Sequence, residues 1–209
     1  MYNDITGIIL SGGKSKRMGV NKAMLMVGDE TLIERTAKLM SDLFGRILLI
    51  TNTPEEYNFL GLKAFEDIYK DVGPLAGIHS GLTNSTTEKN FIIACDMPFI
   101  DKELVEFIIN YKTDKPVTIP KAGGVTQQLC GMFSKSILYE IENMIQESGS
   151  VSGEKGNHKI TGYKVQHLFQ RVDTEIIDVE SKFDKYESGM FLNVNRKEDF
   201  EGAIKRLRK

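Results

Sequence analysis

Cysteine and histidine are scarce in this chain of 209 residues, which has two cysteines and three histidines. Cys95 and Cys130 stand in apolar surroundings, and neither has a second cysteine or a histidine at the spacing of a metal site. We therefore expect two buried thiols in a reducing compartment. The histidines do not combine with a serine and an acid into a hydrolytic triad, and we assign His79 to helix packing.

An excess of positive charge is also lacking, because 27 lysines and arginines face 29 acidic residues, for a net charge of −2. Affinity for a nucleic-acid backbone requires excess cations, so the composition excludes a general nucleic-acid binder. The polar and acidic start, Met1-Tyr2-Asn3-Asp4, is unlike a signal peptide, and no apolar run approaches membrane-spanning length. We therefore expect a soluble cytoplasmic protein with no nucleic-acid partner and no membrane partner.

Strand and helix patterns alternate along the chain, without an internal repeat or a domain linker. This alternation is typical of an α/β domain with a mostly parallel sheet. We predict a single domain over residues 1–209, with three α/β/α layers and a mostly parallel, mixed sheet. The predicted strands are residues 5–10, 47–51, 63–66, 91–95, 117–119, 129–133, 176–179 and 191–194. The predicted helices are residues 31–44, 102–111 and 135–146, one that ends near residue 82 and one around 200–207, and residues 148–157 are predicted to be a mobile loop.

Residues 10–22, LSGGKSKRMGVNK, follow the first predicted strand and hold three glycines, four cations and no acid. Backbone N–H groups in such a loop are able to line a phosphate chain, and the added positive charge suits a polyanion. The Walker motif is excluded because Ile8 stands where its first glycine would be, and the G-x-G-x-x-G fingerprint is absent. We hypothesise that this glycine loop holds a nucleoside triphosphate; the alternative is a surface loop with solvated cations.

Several predicted strands end in polar residues, and in a parallel sheet these ends meet at one edge. Asp96 directly follows the strand 91–95, where a carboxylate beside a phosphate loop suits Mg²⁺. The alternative for Asp96 is a helix cap, a role for which Asp101 is better spaced. Asn193 and Asn195 flank one apolar residue, so they share a face of a strand, or they form a turn and a helix cap. Asp67 either accepts the donors of a guanine edge or belongs to a solvated acidic loop.

Residues 10–22, 66–78, 95–98 and 193–195 together resemble, in order and spacing, the motifs of the sugar-nucleotidyltransferase-like enzymes. The resemblance is closest to the molybdenum cofactor guanylyltransferases of MobA type. It implies a Rossmann-like nucleotidyltransferase fold and Mg²⁺-dependent transfer of GMP from GTP to the terminal phosphate of molybdenum-bearing molybdopterin, with release of pyrophosphate. The double glycine Gly12-Gly13 resembles the guanylyl type, because the related cytidylyl enzymes resemble L-A-A-G here.

The resemblance also implies roles for individual residues. Asp96 binds Mg²⁺, and together with Arg17 and Lys22 it forms the catalytic set. Asn193 and Asn195 lie on the pterin side, as does the segment 163–169 with Lys155 and Lys159. The implied GTP-binding residues are Leu10, Ser11, Gly12, Gly13, Lys22, Asn52, Asp67 and Asp96.

Two departures from the family pattern accompany the resemblance. Gln127-Gln128 stands where the family often has a proline or His-Pro, and Arg196-Lys197 stands where Thr-Pro commonly follows the second asparagine. The expected partners are GTP and molybdopterin, with transient contact to molybdenum cofactor proteins or molybdoenzymes. The alternatives are a related nucleotidyltransferase that uses CTP or a sugar phosphate, and a GTP-binding protein without catalysis.

Overall fold

The centre of the molecule is one 8-stranded sheet. The structure is a computed structural model and describes residues 1–12, 21–150, 164–194 and 199. The two-residue strands β2 (Met26–Val27) and β3 (Glu30–Thr31) form a separate hairpin. The main sheet contains β1 (Tyr2–Leu10), β4 (Phe44–Ile50), β5 (Lys63–Phe65), β6 (Lys89–Ala94), β7 (Val117–Ala122), β8 (Val125–Thr126), β9 (Cys130–Ser134) and β10 (Thr174–Asp178).

The order of the strands across the sheet is β10-β7-β9-β6-β1-β4-β5, with β8 paired to β7. Strands β6, β1, β4 and β5 are parallel neighbours. Strand β9 runs antiparallel between β6 and β7, and β10 runs parallel to β7. The predicted mostly parallel, mixed sheet is therefore confirmed.

Helices cover both faces of the sheet, which confirms the predicted three layers. They are α1 (Leu32–Leu43), α2 (Pro74–Asn84), α3 (Lys102–Ile109), α4 (Leu138–Ser150), α5 (Val165–Arg171) and α6 (Val179–Lys182). Successive side chains of β1 point to opposite faces, so Ile9 joins one apolar cluster with α1, α3 and α6, while Ile8 and Leu10 join another with α2, α4 and α5. None of the helices in the described part of the chain is long and apolar enough to span a membrane.

Local side-chain chemistry explains where several elements begin or turn. Helix α1 starts with a capping box, in which the Thr31 hydroxyl accepts the Glu34 N–H (3.2 Å) and the Glu34 carboxylate accepts the Thr31 N–H (2.8 Å). The turn between β7 and β8 places Gly123 and Gly124 at positive φ, 56° and 75°. This backbone conformation is the one that tight hairpins demand of glycine.

Two sequence predictions were wrong in detail. The predicted strand over residues 191–194 is absent, because the apolar side chains of this segment are buried by packing and not by sheet pairing: Phe191 and Val194 lie in apolar clusters. The Val194 N–H donates to the Asp96 carbonyl oxygen (3.0 Å) beyond the end of β6. The predicted loop over residues 148–157 starts as helix, since α4 continues to Ser150. The Ser148 hydroxyl bonds back to the Ile145 carbonyl oxygen (2.7 Å), which supports that last turn. Residues 151–157 and the predicted helix around 200–207 lie outside the described residues.

We expect Gly131→Ala to destabilise the fold by about 2 kcal/mol, roughly 4–8 °C in the thermal midpoint, because a Cβ on Gly131 would overlap the Thr118 carbonyl oxygen in the neighbouring strand β7. The control is Gly45→Ala, whose Cβ would overlap only the flexible end of the Asn3 side chain and would be in ordinary contact (3.8 Å) with the Tyr2 carbonyl oxygen. Thermal unfolding of both variants checks the difference. Equal midpoints would contradict a close approach of β7 and β9 at Gly131.

Candidate functional site

The carboxyl ends of the parallel strands meet at one edge of the sheet. Ser11, the residue after β1, donates its N–H to the Ile50 carbonyl oxygen at the end of β4 (2.9 Å). Cys95, the residue after β6, donates its N–H to the Leu10 carbonyl oxygen (3.1 Å). The start of the glycine loop therefore lies between the ends of β4 and β6, which is where the sequence placed the site.

Lys22 and Asp96, from opposite ends of the predicted site, lie close enough to influence each other electrostatically. Burial raises the pKa of the Asp96 carboxyl, and the positive charge of Lys22 and a backbone hydrogen bond oppose that rise. The same charge acts on Cys95, where burial above all raises the pKa of the thiol to about 12. The Lys22 charge thus acts on both Asp96 and Cys95, the two residues that follow β6.

Asp96 has no capping role, and Gly12 is exposed. Asp101 is the N-cap of α3, because its Oδ1 accepts the Leu104 N–H (2.8 Å), so Asp96 is not needed as the helix cap. Gly12 is exposed, and a Cβ added there would meet none of the described atoms within 4 Å. The backbone of Gly12 is therefore accessible from the side that a side chain would occupy.

Asn52 and Asp67 form a hydrogen-bonded pair beyond the ends of β4 and β5. The Asn52 amide Nδ2 donates to Asp67 Oδ2 (2.7 Å), and the Asp67 N–H donates to Asn52 Oδ1 (3.3 Å). Lys70 also donates to Asn52 Oδ1 (3.0 Å). Burial raises the pKa of Asp67, while the Asn52 hydrogen bond and the Lys70 charge oppose the rise. The structure thus brings together two predicted nucleotide contacts that are fifteen positions apart.

Asn193 approaches the same edge through its neighbour Val194, which hydrogen-bonds the Asp96 backbone. Its side-chain oxygen Oδ1 is buried and accepts no hydrogen bond from the described residues. A buried polar atom is normally paired, so an unpaired amide oxygen here points to a missing partner. Carboxylate and amide oxygens are ligands that Mg²⁺ accepts, and Mg²⁺ needs only one or two carboxylates beside phosphate and water. The described residues contain no group of three or more His, Cys, Asp or Glu that would form an all-protein metal site.

Part of the predicted site lies outside the described residues, namely Gly13, Arg17 and Asn195, and on the pterin side Lys155, Lys159 and residue 163. Residues 164–169 of that segment are described: Lys164 precedes α5, and the rest belong to the helix. Val165 and Leu168 of α5 are buried in the core. Those two side chains act in packing.

Sequence reasoning missed Tyr57, which is buried in the 3-10 helix Pro54–Leu60. The Ser11 hydroxyl donates to the Tyr57 hydroxyl oxygen (2.8 Å), and the Asn21 amide Nδ2 donates to the same atom (3.0 Å). The Ser11 N–H and hydroxyl both donate to other groups of the protein, so Ser11 has a structural role at the edge of the site. No sequence signal marked Tyr57, because it lies 46 residues from Ser11 and in no motif.

Gly12 and Asp96, with the Lys22 charge acting on that carboxyl, lie at the carboxyl edge of a mixed α/β sheet, where proteins of this architecture bind their ligands. Residues 7–161, well over half of the chain, match the family model described as MobA-like NTP transferase domain. The chain therefore belongs to the MobA-type family of the molybdenum cofactor guanylyltransferases and is an enzyme of the nucleotidyltransferase class.

The individual relatives agree with this assignment. A probable molybdenum cofactor guanylyltransferase of Clostridium perfringens (strain 13 / Type A) is 37% identical over 200 residues, which cover 95% of each chain. The protein with the same description from Carboxydothermus hydrogenoformans is 32% identical over 203 residues, 97% of this chain and 96% of that one. In fold, the crystal structure of molybdopterin-guanine dinucleotide biosynthesis protein A from Archaeoglobus fulgidus superposes with a TM-score of 0.78 at 24% identity, covering 97% of this chain and 98% of that chain.

Proposed function

We propose that this enzyme transfers GMP from GTP to the terminal phosphate of molybdenum-bearing molybdopterin, with Mg²⁺, and releases pyrophosphate. The observation that carries the proposal is the meeting of the strand ends at Ser11 and Cys95, which brings Gly12 and Asp96 to one edge of the sheet, where the Lys22 charge acts on the Asp96 carboxyl. The choice of a guanylyl group and of the molybdenum cofactor as its acceptor follows the names of the relatives. Activity in the cytoplasm, and transfer of the product to molybdenum cofactor proteins or molybdoenzymes, belong to the same proposal.

The proposed reaction exchanges one phosphorus–oxygen bond for another. An oxygen of the molybdopterin phosphate bonds to the α-phosphorus of GTP, and the bond from that phosphorus to the bridging oxygen breaks, so that its electron pair leaves with pyrophosphate. The attacking phosphate oxygen is already ionised at neutral pH, so no general base is required. The protein therefore contributes positioning and charge stabilisation.

The chain's own residues divide these tasks. Lys22, with Arg17 of the same motif, stabilises the negative charge that moves onto pyrophosphate. The Asn52–Asp67 pair holds the base or the sugar. Asp96 would hold Mg²⁺, with Asn193 beside it, and the ion when bound supplies further charge stabilisation at the phosphates.

Nucleotide preference and turnover together test the proposal. In Mg²⁺, we expect GTP to raise the thermal midpoint more than CTP, ATP or UTP. At about 100 times the dissociation constant, binding adds about 2.7 kcal/mol, roughly 5–10 °C for a chain of this size. Adding molybdenum-bearing molybdopterin should then release pyrophosphate, and chelation of Mg²⁺ should stop the release.

Each alternative has its own outcome in this experiment. A larger shift with CTP would replace the guanylyl assignment by a cytidylyl one. A shift with GTP but no pyrophosphate release would leave a nucleotide-binding protein without catalysis, and the proposal would then be wrong.

A further inference from the structure

The Tyr57 hydroxyl joins the residues on both sides of the glycine loop. Ser11 precedes Gly12, and Asn21 precedes Lys22, yet both side chains donate to the one Tyr57 oxygen, at 2.8 and 3.0 Å. Only 3% of Tyr57 is exposed. The Asn21 amide is further held by Glu56, the neighbour of Tyr57, to which its Nδ2 donates (2.7 Å). The 3-10 helix Pro54–Leu60 thus hydrogen-bonds the loop at two residues, Ser11 and Asn21.

We propose that Tyr57 is a positioning residue that sets the spacing between the two ends of the glycine loop and thereby the position of Lys22. The proposal rests on the proposed function, since it concerns how the loop binds a triphosphate. Tyr57 touches no reacting atom in it. Its effect passes through Ser11 and Asn21.

The route from Tyr57 to Lys22 is short and made of hydrogen bonds. Asn21 Oδ1 accepts the Ala23 N–H (3.1 Å) and so caps the turn Lys22–Met24. Tyr57 therefore orients the Asn21 side chain, which in turn caps the turn that begins with Lys22. Fixing both ends of a loop before the ligand arrives removes part of the ordering cost of binding.

On the other side, the hydrogen bonds continue from Ser11 to the end of β6. The Cys95 thiol donates to the Ser11 hydroxyl oxygen (3.6 Å), and Asp96 is the next residue. One chain of hydrogen bonds thus links Cys95, the neighbour of Asp96, to the start of the loop and to the turn that carries Lys22; its links at Ser11 are buried and its link at Asn21 is partly buried. Without the Tyr57 oxygen, two donors of this chain lose their acceptor, and buried donors without an acceptor drive local rearrangement.

The test is Tyr57→Phe, which removes one oxygen and keeps the ring that packs in the core. The matched control is Tyr2→Phe, which removes a hydroxyl that accepts the Asn110 amide (3.0 Å) and lies at the opposite end of β1. We expect Tyr57→Phe to raise the dissociation constant of Mg–GTP about tenfold or more, the size of one lost hydrogen bond at this site. The affinity for guanosine, which has no phosphates, should stay unchanged in both variants.

The ratio of the Mg–GTP affinity to the guanosine affinity separates a positioning role of Tyr57 from a role in general stability. A purely structural role would lower the thermal midpoint and leave the GTP-to-guanosine ratio as in the Tyr2→Phe control, which would overturn the proposal. If Tyr57→Phe does not fold, Asn21→Ala removes the link from the loop side and should shift the same ratio; an unchanged ratio would again overturn it. Wild-type protein that binds no nucleoside triphosphate would defeat the proposed function as well, whereas normal GTP binding by Tyr57→Phe would defeat only the role of Tyr57.

Discussion

Replacement of Asp96 by asparagine is expected to lower kcat/KM for guanylyl transfer by about a thousandfold, because a metal clamp on phosphate supplies several kcal/mol of transition-state stabilisation. Asparagine keeps the shape of the side chain and removes its charge. The variant should remain folded, since Asp101 and not Asp96 caps α3. Steady-state release of pyrophosphate at saturating Mg²⁺ measures the effect.

The stability of the same variant has a predicted sign. Because burial raises the pKa of Asp96 in the folded protein, the protonated form is favoured by folding, and its contribution to stability is lost as the pH rises through the raised pKa. In metal-free buffer, Asp96→Asn should therefore gain stability relative to the wild type as the pH rises from acid to neutral. Thermal midpoints measured with a chelator across this range check the sign.

Asp101→Ala is the matched control for Asp96. It removes the cap of α3 and should cost about 1 kcal/mol of stability with no change in transfer. We thus expect Asp96→Asn to lose activity and remain folded, and Asp101→Ala to lose stability and remain active. Normal turnover by Asp96→Asn would refute the placement of the metal at this carboxylate.

Replacement of Lys22 by methionine is expected to lower kcat/KM by about a hundredfold, the usual size when one charge-stabilising donor is lost. The hydrocarbon stem of the side chain is kept, so the loss reports the charge. Since the Lys22 charge opposes the rise in the pKa of Asp96, the acid limb of the pH–rate profile should also move to higher pH. Pyrophosphate release measured over a pH series gives both quantities.

Lys38→Met is the matched control for Lys22. Lys38 pairs with Glu30 at the surface (2.9 Å), and such exposed pairs contribute little. Its removal should leave both the rate and the acid limb unchanged. If Lys22→Met behaved like Lys38→Met, the Lys22 charge would have no catalytic role.

Much of the fold and part of the site could be predicted from local sequence. The buried strand 5–10, the glycine loop and the acid after strand 91–95 are contiguous patterns, and so is the spacing that favours Asp101 over Asp96 as a helix cap. The strand predicted at 191–194 was wrong, because an apolar run does not reveal whether its side chains are buried by sheet pairing or by packing outside the sheet, as Phe191 and Val194 are. Tyr57 was not predicted, because no pattern in residues 54–60 indicates a hydrogen bond to Ser11 or Asn21.

The sequence by itself determined the α/β class and the kind of chemistry, since alternating apolar periods and a loop of glycines and cations are properties of neighbouring residues. Only the tertiary structure decided the antiparallel course of β9, the pairing of Asn52 with Asp67, and the bridge from Ser11 through Tyr57 to Asn21. The physical reason is that hydrogen bonds and Coulomb forces act over a few ångströms in space, whatever the separation along the chain. Which distant polar groups meet is therefore set by how the helices pack on the sheet.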